Sequence, residues 1–289
     1  MPIRHLDPIL IDRIAAGEVV ERPSAVVKEL VENALDAGAT RIDIAIESGG
    51  RRLIRVIDNG SGMPPEDLEL AIERHATSKL PSGDLSQIAT LGFRGEALPS
   101  IGSVALLDIF SRAKGAPHGF SIRVDQGRKH AMAPCGEPQG TRVEVRDLFG
   151  LTPARLKFLK NERTEARACA DAVQRLALAH CQVRFTFAAT DTAGFDYVAR
   201  DEEGDALLTR IADVLGQDFR ANSLRVDAVR ENFRLRGYAG LPTWHKANTT
   251  QQYLFVNGRP VRDKLLASSV RAAYMDYVPQ TRHPALALF

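Results

Sequence analysis

The stretch "KELVENALDAG", residues 28–38, decides the fold, because it reads as a helix with oddly placed polar residues. Pro23 suits a first helical turn and Gly38 suits the position just past a last one. At about 100° per residue, Val26, Val27, Leu30, Val31, Ala34 and Leu35 fill one continuous half of the wheel. Lys28, Glu32 and Asp36 lie on the other half, and Glu29 and Asn33 fall at the boundary, one turn apart. A surface helix would solvate Glu29 or pair it with a lysine one turn on; here an amide follows at that spacing. A half-buried carboxylate has a raised proton affinity and can act as general base on a water. An amide oxygen beside it can ligate Mg²⁺, which takes few protein ligands and completes its octahedron with phosphate oxygens and water. Taken alone, the helix reads more readily as a boundary position that caps nothing.

Outward from that helix, residues 8–20 predict a short helix and a turn around Gly17. "RIDIAIE" (41–47) and "RLIRVID" (52–58) alternate as strands do, with Gly49-Gly50 between them as a hairpin signal. A helix follows at 65–74. Residues 75–95 hold Gly, Ser, Pro and Thr without periodicity and read as a long loop of the kind that forms functional lids. "GEALPSIGSV" begins another helix, strands are expected at 104–111, 119–125, 141–147, 183–189 and 195–199, and a long helix at about 162–180. A turn-rich acidic stretch ending in "RDEEGD" marks a boundary near residue 203. Beyond it a helix (205–215), strands near 223–240 and 251–257 and a helix at 262–277 make a small α+β domain. The domains expected are therefore 1–203 and 204–289.

The bulk numbers bound the rest. In 289 residues, 44% are hydrophobic and 26% charged, enough for two real cores and too apolar for wholesale disorder. Net charge is +2, from 38 basic and 36 acidic residues, so any nucleic-acid contact must come from local patches. Cys135, Cys169 and Cys181 form no CxxC pair, and no signal peptide or membrane-length apolar run is present; a reduced cytoplasmic protein is expected. "HPALALF" at the C-terminus has the character of a buried strand and suggests a piece of a longer protein.

Two further stretches carry chemistry. "VIDNGSGM" (56–63) delivers Asp58 from a strand, with Gly60 and Gly62 after it. A buried carboxylate there can accept from a purine amino group, and glycines let backbone approach a flat base. Asp-Asn-Gly is equally a plain turn. "TSK" (77–79) and "LGFRGEAL" (91–98) offer hydroxyls, a cation and backbone N–H groups to phosphates, and the helix opening near Gly95 presents its positive end. There is no GxxxxGK[ST], which excludes a P-loop, and no GxGxxG between strand and helix, which disfavours a dinucleotide site. Basic residues cluster at 155–167 and in "NGRPVRDK" (257–264); either could follow a phosphate backbone, and each is also an ordinary solvated face.

Taken together, these pieces resemble one superfamily. An E-x-x-x-N helix (Glu29, Asn33), D-x-G-x-G after a strand (Asp58, Gly60, Gly62), a Gly-rich loop (Gly92 to Gly95) and Gly140-Thr141 on a late strand form the pattern of the GHKL ATPases. Within it, "IAAGEVVERPSAVVKELVENALDAGAT", "RHATSK" and "LGFRGEAL" are similar to the MutL mismatch-repair family, over essentially the whole chain. The resemblance implies an α+β fold. Its first part would be a two-layer α/β sandwich with a mixed sheet (the GHKL or Bergerat ATPase fold), its second a smaller ribosomal-protein-like domain. It implies ATP and Mg²⁺ as cofactors. Glu29 would activate the attacking water, Asn33 would hold Mg²⁺, and Asp58, with Gly62 and Thr141, would take the adenine. Thr77, Ser78, Lys79, Gly92, Phe93, Arg94 and Gly95 would close over the phosphates. It also implies slow turnover as a switch, an ATP-dependent homodimer, DNA held with weak sequence preference, and mismatch-recognition and downstream repair proteins as partners. Arg155, Arg259, Arg262 and Lys264 are the residues chosen for DNA.

One departure matters. The family supplies a lysine to the γ-phosphate from a His-Pro-Ala-Lys stretch of the second domain; His283-Pro284-Ala285 is followed here by Leu286 and aligns with an earlier strand, so that match is a decoy and the expected lysine would lie past Phe289. Turnover and dimerisation by this chain are therefore expected to be weak. The alternatives are another GHKL machine, such as a type II topoisomerase subunit, or a nucleotide-binding DNA module without significant turnover.

Overall fold

The computed structural model describes residues 7–77, 79, 90–92, 95–200 and 205–289. They form two compact units, residues 1–173 with 183–198, and residues 174–182 with 199–289.

The first unit runs α1 (Pro8–Val19), α2 (Pro23–Asp36), β1 (Arg41–Glu47), β2 (Leu53–Asp58), α3 (Pro65–Leu70), α4 (Ala97–Val104), β3 (Leu106–Arg112), β4 (Gly119–Asp125), β5 (Arg128–Lys129), β6 (Ala133–Cys135), β7 (Gly140–Arg146), α5 (Pro153–Leu156), most of α6 (Glu162–Ala179), β8 (Arg184–Ala189) and β9 (Phe195–Tyr197). Its mixed sheet has the order β5-β4-β3-β7-β2-β1-β8-β9, with β6 also paired to β4. Among the described strands of this sheet only β1 and β8 run parallel. Alternation decides which side is buried: Ile42, Ile44 and Ile46 of β1 are nearly inaccessible, as are Ile54 and Val56 of β2. The Gly49-Gly50 hairpin forms as expected, with both glycines at positive φ (65° and 87°).

Helices α2 and α4 pack together and against this sheet. In α6 the buried residues Ala166, Cys169, Val173 and Ala177 recur at helical spacing. Burial, helped by the negative charge of Glu165, pushes the Cys169 thiol up to about 12. The opposite face of the sheet carries charge. Buried Glu144 accepts from Arg55 Nε (2.9 Å), Arg142 Nη1 (2.7 Å) and Arg146, and Asp108 takes both arms of Arg123. Burial works to raise the pKa of Glu144, but the Arg142 hydrogen bond and the Arg55 and Arg146 charges reverse it to below its ordinary value.

Several elements are shorter than the sequence predicts. The helix expected at 65–74 ends at Leu70, and the one expected at 262–277 is Lys264–Ala273. Strands β5 and β6 and the one-turn α5 were not anticipated, being too short for periodicity to show. The polar half of α2 is also not the solvated face its wheel suggests, because Glu32 is only 6% exposed.

The second unit begins with the last turns of α6 and adds α7 (Ala206–Leu215), β10 (Ser223–Arg230), β11 (Phe233–Gly240), β12 (His245–Lys246), β13 (Gln252–Val256), β14 (Arg259–Val261), α8 (Lys264–Ala273), β15 (His283–Pro284) and β16 (Leu286–Leu288). Its five-stranded sheet has the order β10-β11-β16-β13-β14. Ile211, Leu215 and Phe219 pack on Tyr238, Tyr253 and Phe255 in its core. Arg210, fully buried, donates to the carbonyl of Ala177 (2.8 Å), one of those left over by the end of α6, and to that of Cys181 (3.0 Å) just beyond it. Among the described residues no helix is long and apolar enough to cross a membrane.

Candidate active site

The site lies in the first unit, where the helix-facing side of the sheet changes character. Along β2, β7 and β3 the rungs read Ile54–Val145–Leu107, then Val56–Val143–Ile109, then Asp58–Thr141–Ser111. The last rung is polar although its side chains point to the same face as the two apolar ones. Ser111 Oγ and Thr141 Oγ1 lie 2.9 Å apart, and Ser111 also accepts from Met63 N (2.9 Å). Asp58 Oδ1 accepts from Gly60 N at 2.8 Å. Burial raises the Asp58 pKa to about 6, against the opposing hydrogen bonds from the backbone of Gly60 and Thr141. A carboxylate at this depth with acceptor capacity to spare is matched to a donor from outside the chain.

Two glycines make the close approach possible. Gly140 sits at φ 118°, and a Cβ there would lie 2.0 Å from the carbonyl oxygen of Asp58. Gly62, at φ 65°, is equally tight against Arg112 O. Asn59 takes no part in the site; its side chain accepts from the amides of Thr40 and Arg41 and holds the turn.

Helix α2 supplies the second half of the site. It ends against the turn after Asp58, where Ser61 N donates to Ala37 O at 2.9 Å. Glu29 is part-exposed, and its Oε1 lies 3.1 Å from Lys28 Nζ, which also holds Glu32 at 2.7 Å. Burial raises the Glu32 pKa, and Lys28 only partly offsets it. Asn33 Oδ1 accepts from Lys79 Nζ at 2.7 Å. Lys79 N in turn donates to Thr77 Oγ1 (3.1 Å), and Gly92 lies next to the Lys79 ammonium. Gly95 is at φ 61°, two residues before Ala97, the first residue of α4. Thus Asn33, Lys79 and Gly92 lie together, with Glu29 one turn back from Asn33 on α2, and Asp58 and Thr141 share the polar rung, with Gly62 in the turn after Asp58. Ser78, Phe93 and Arg94 lie outside the described residues.

The basic residues chosen for DNA fare differently. Arg155 is half-buried and its guanidinium lies 3.5 Å from Ile14 O, in α1, and 3.5 Å from Val20 O, just past its end. It fills the space beside Gly17 and serves the fold rather than an exposed basic surface. Arg259, on β14, is half-buried; Arg262 and Lys264, at the start of α8, are exposed in the second unit.

Three participants were missed. Asp36 contacts Lys79, Leu91 N and Gly92 N. Lys28 bridges Glu29 and Glu32, and Ser111 completes the polar rung. Asp36 had a readable signal, since it lies one turn beyond Asn33 on the same helix. Ser111 had none, because its place depends on pairing with a strand distant in sequence. Among the described residues no group of three or more His, Cys, Asp or Glu side chains is arranged to hold a metal ion.

Comparison with known proteins agrees with this layout. Residues 21–148 match the family described as "Histidine kinase-, DNA gyrase B-, and HSP90-like ATPase", and residues 211–289 match "DNA mismatch repair protein, C-terminal domain". The first unit therefore has the GHKL-type ATPase fold, followed by an α+β unit. The chain is 68% identical, over its whole length, to the DNA mismatch repair protein MutL of Beijerinckia indica subsp. indica, covering 45% of that protein. It is 66% identical to the MutL of Methylocella silvestris, covering 48% of it. Among solved structures, the Aquifex aeolicus MutL ATPase domain complexed with ADP is 32% identical with a TM-score of 0.70, over 93% of this chain and 92% of that one. The N terminal domain of a DNA repair protein is 25% identical with a TM-score of 0.80, over 96% and 86%. The chain belongs to the MutL family of DNA mismatch repair proteins. It spans about half the length of the curated relatives it matches.

Proposed function

We propose that this chain binds ATP with Mg²⁺ and hydrolyses it slowly, as the nucleotide-driven switch of a cytoplasmic mismatch-repair protein. The observation that carries the reading is the junction of the polar rung Asp58–Thr141–Ser111 with α2, which carries Glu29 and the Asn33–Lys79 contact, where the turn after Asp58 bonds to the end of the helix. In this reading Asp58 accepts from the adenine amino group, and Thr141, held by Ser111, supports it. The glycines at 62 and 140 leave room for the base. Lys79, with Thr77, Ser78 and the stretch Gly92-Phe93-Arg94-Gly95, meets the phosphates. Glu29 takes the proton of the attacking water.

The residues fit a Mg²⁺ ion. Asn33 Oδ1 already faces a cation, the Lys79 ammonium, and Asp36 adds a carboxylate beside it. A hard ion held by one amide oxygen would take its other ligands from phosphate and water. Bound there, it would neutralise charge on the phosphate oxygens. Little covalent work is left to the protein in transfer to water; orientation and charge stabilisation dominate. Nucleotide would favour pairing of two copies and an association with DNA that has weak sequence preference, with Arg259, Arg262 and Lys264 as its candidate contacts. Mismatch-recognition and downstream repair proteins would read the paired state. The alternative, a module that binds nucleotide without turnover, is a separate outcome of the same test.

That test is steady-state ATP hydrolysis with Mg²⁺, comparing the chain with Glu29→Ala. Loss of a general base lowers turnover by about 10²-fold or more, with nucleotide binding retained. Equal turnover by the two proteins would remove Glu29 from the mechanism. Binding without turnover in both would select the alternative.

A further inference from the structure

Asp36 is the last residue of α2, and its carboxylate is almost enclosed, with 9% of the side chain exposed. Three donors converge on it. Oδ1 accepts from Leu91 N at 2.9 Å; Oδ2 accepts from Gly92 N at 3.2 Å and from Lys79 Nζ at 2.5 Å. The same ammonium donates to Asn33 Oδ1 at 2.7 Å. A Cβ on Gly92 would lie 3.1 Å from Lys79 Nζ and 3.8 Å from both Asn33 Oδ1 and Asp36 Oδ2, so the four residues form one tight cluster.

We propose that Asp36 is a positioning residue of the nucleotide site, which holds Lys79 over the amide oxygen of Asn33 and so makes this lysine the competitor of Mg²⁺ for that oxygen. The inference rests on the ATP reading above. A neutral amide oxygen is a poor sole partner for an ammonium that could return to water; the charged acceptor beside it is what keeps Lys79 there. Lys79 in turn neutralises a carboxylate that would otherwise repel an incoming triphosphate at short range. When Mg²⁺ and nucleotide enter, Lys79 gives up Asn33 and keeps Asp36. The ammonium then pivots about Asp36 toward the phosphates rather than leaving the site. Asp36 itself stays fixed by the two backbone amides.

The decisive variant is Asp36→Asn in the whole chain, which keeps the shape and one acceptor oxygen and removes the charge. Two readouts are taken. One is the Mg²⁺ concentration that half-saturates binding of a non-hydrolysable ATP analogue. The other is amide hydrogen exchange at Leu91 and Gly92 without nucleotide. With Lys79 no longer held over Asn33, the half-saturating Mg²⁺ concentration falls about five- to tenfold, and the two amides exchange about tenfold faster, as expected for losing a charged acceptor. Lys79→Met lowers the Mg²⁺ midpoint as well, and the double variant lowers it no further than Lys79→Met alone, because Asp36 acts through that lysine. Lys79→Met also keeps the proposal testable if Asp36→Asn does not fold. Faster exchange with an unchanged Mg²⁺ midpoint would make Asp36 a mere staple between α2 and residues 91–92 and overturn the proposal. A raised midpoint would overturn it too. If the unaltered chain bound no nucleotide at any Mg²⁺ concentration, the ATP reading would fall and this inference with it. An unaltered chain that binds with a normal Mg²⁺ dependence isolates the failure to Asp36.

Discussion

Asp58 combines a functional demand with a stability penalty. Its pKa is about 6 in the folded chain against an ordinary value near 3.8. A carboxyl whose folded pKa is raised favours the folded state at low pH, and that contribution is lost as pH rises from about 4 through 6. Asp58→Asn does not titrate, so its stability relative to the parent should grow across that interval and then level off, by on the order of 2 kcal/mol at neutral pH. Urea denaturation of both proteins from pH 4 to 8 measures this. A pH-independent difference would mean that the carboxyl is not destabilised by burial. Nucleotide binding should move the opposite way and weaken below pH 6, because only the carboxylate has a full set of acceptors for the adenine amino group. At this scale legibility followed sequence distance. Glu29 and Asn33 are four residues apart on one helix, so periodicity alone placed them on one edge. Asp36 and Glu32 were read as polar-face residues, because their burial comes from Lys79, Gly92 and Lys28, and the first two are contributed from beyond the helix.

At the scale of elements, the polar rung depends on three strands keeping register, and Gly140 is the residue most exposed to disruption. Its φ of 118° and the 2.0 Å approach of a hypothetical Cβ to Asp58 O mean that Gly140→Ala must shift β7 against β2. We expect a loss of at least about 2 kcal/mol by chemical denaturation, together with weakened nucleotide binding. Little change in either would show that the two strands can part without harm to the site. In the second unit Arg210 caps the Ala177 carbonyl in the last turn of α6 from a fully buried position. Arg210→Met fills the same space with no donor, leaving the Ala177 carbonyl without its guanidinium and the Cys181 carbonyl with Arg200 N alone. The expected loss is about 3 kcal/mol, seen as a lower melting temperature. The sequence announced β1, β2 and their hairpin through clean alternation and a Gly-Gly turn. It could not announce β5, with its two residues Arg128 and Lys129, or β6, which contains Pro134. Such pieces exist only because a neighbouring strand offers an unpaired edge.

At the scale of the molecule, the first unit separates its two sheet faces by chemistry. Helices and the proposed nucleotide site occupy one, and the lattice of Arg55, Arg142, Arg146 and Arg123 around Glu144 and Asp108 covers the other. The expected pairing of two copies is therefore assigned to nucleotide rather than to exposed apolar sheet. Sedimentation of the chain should show a monomer without nucleotide and a partial shift to dimer with Mg²⁺ and a non-hydrolysable ATP analogue. No shift at any concentration would confine the switch to events within one copy. The α+β class and the order of an ATPase-type unit before a smaller one were legible from motif order. The sharing of α6 between the units was not, since one uninterrupted amphipathic helix gives no sign of where its neighbours change.

Cys169 is wholly enclosed, while Cys135 and Cys181 are partly accessible, and all three thiols are unpaired. The chain thus has a stopwatch for its own breathing. A thiol reagent should mark the two accessible cysteines promptly and reach Cys169 only during excursions that lift α6 from its bed. Cys135 and Cys169 belong to the first unit and Cys181 to the second. The slow labelling rate, followed with and without nucleotide, would time how often the first unit loosens around its helix and whether ATP makes it hold its breath.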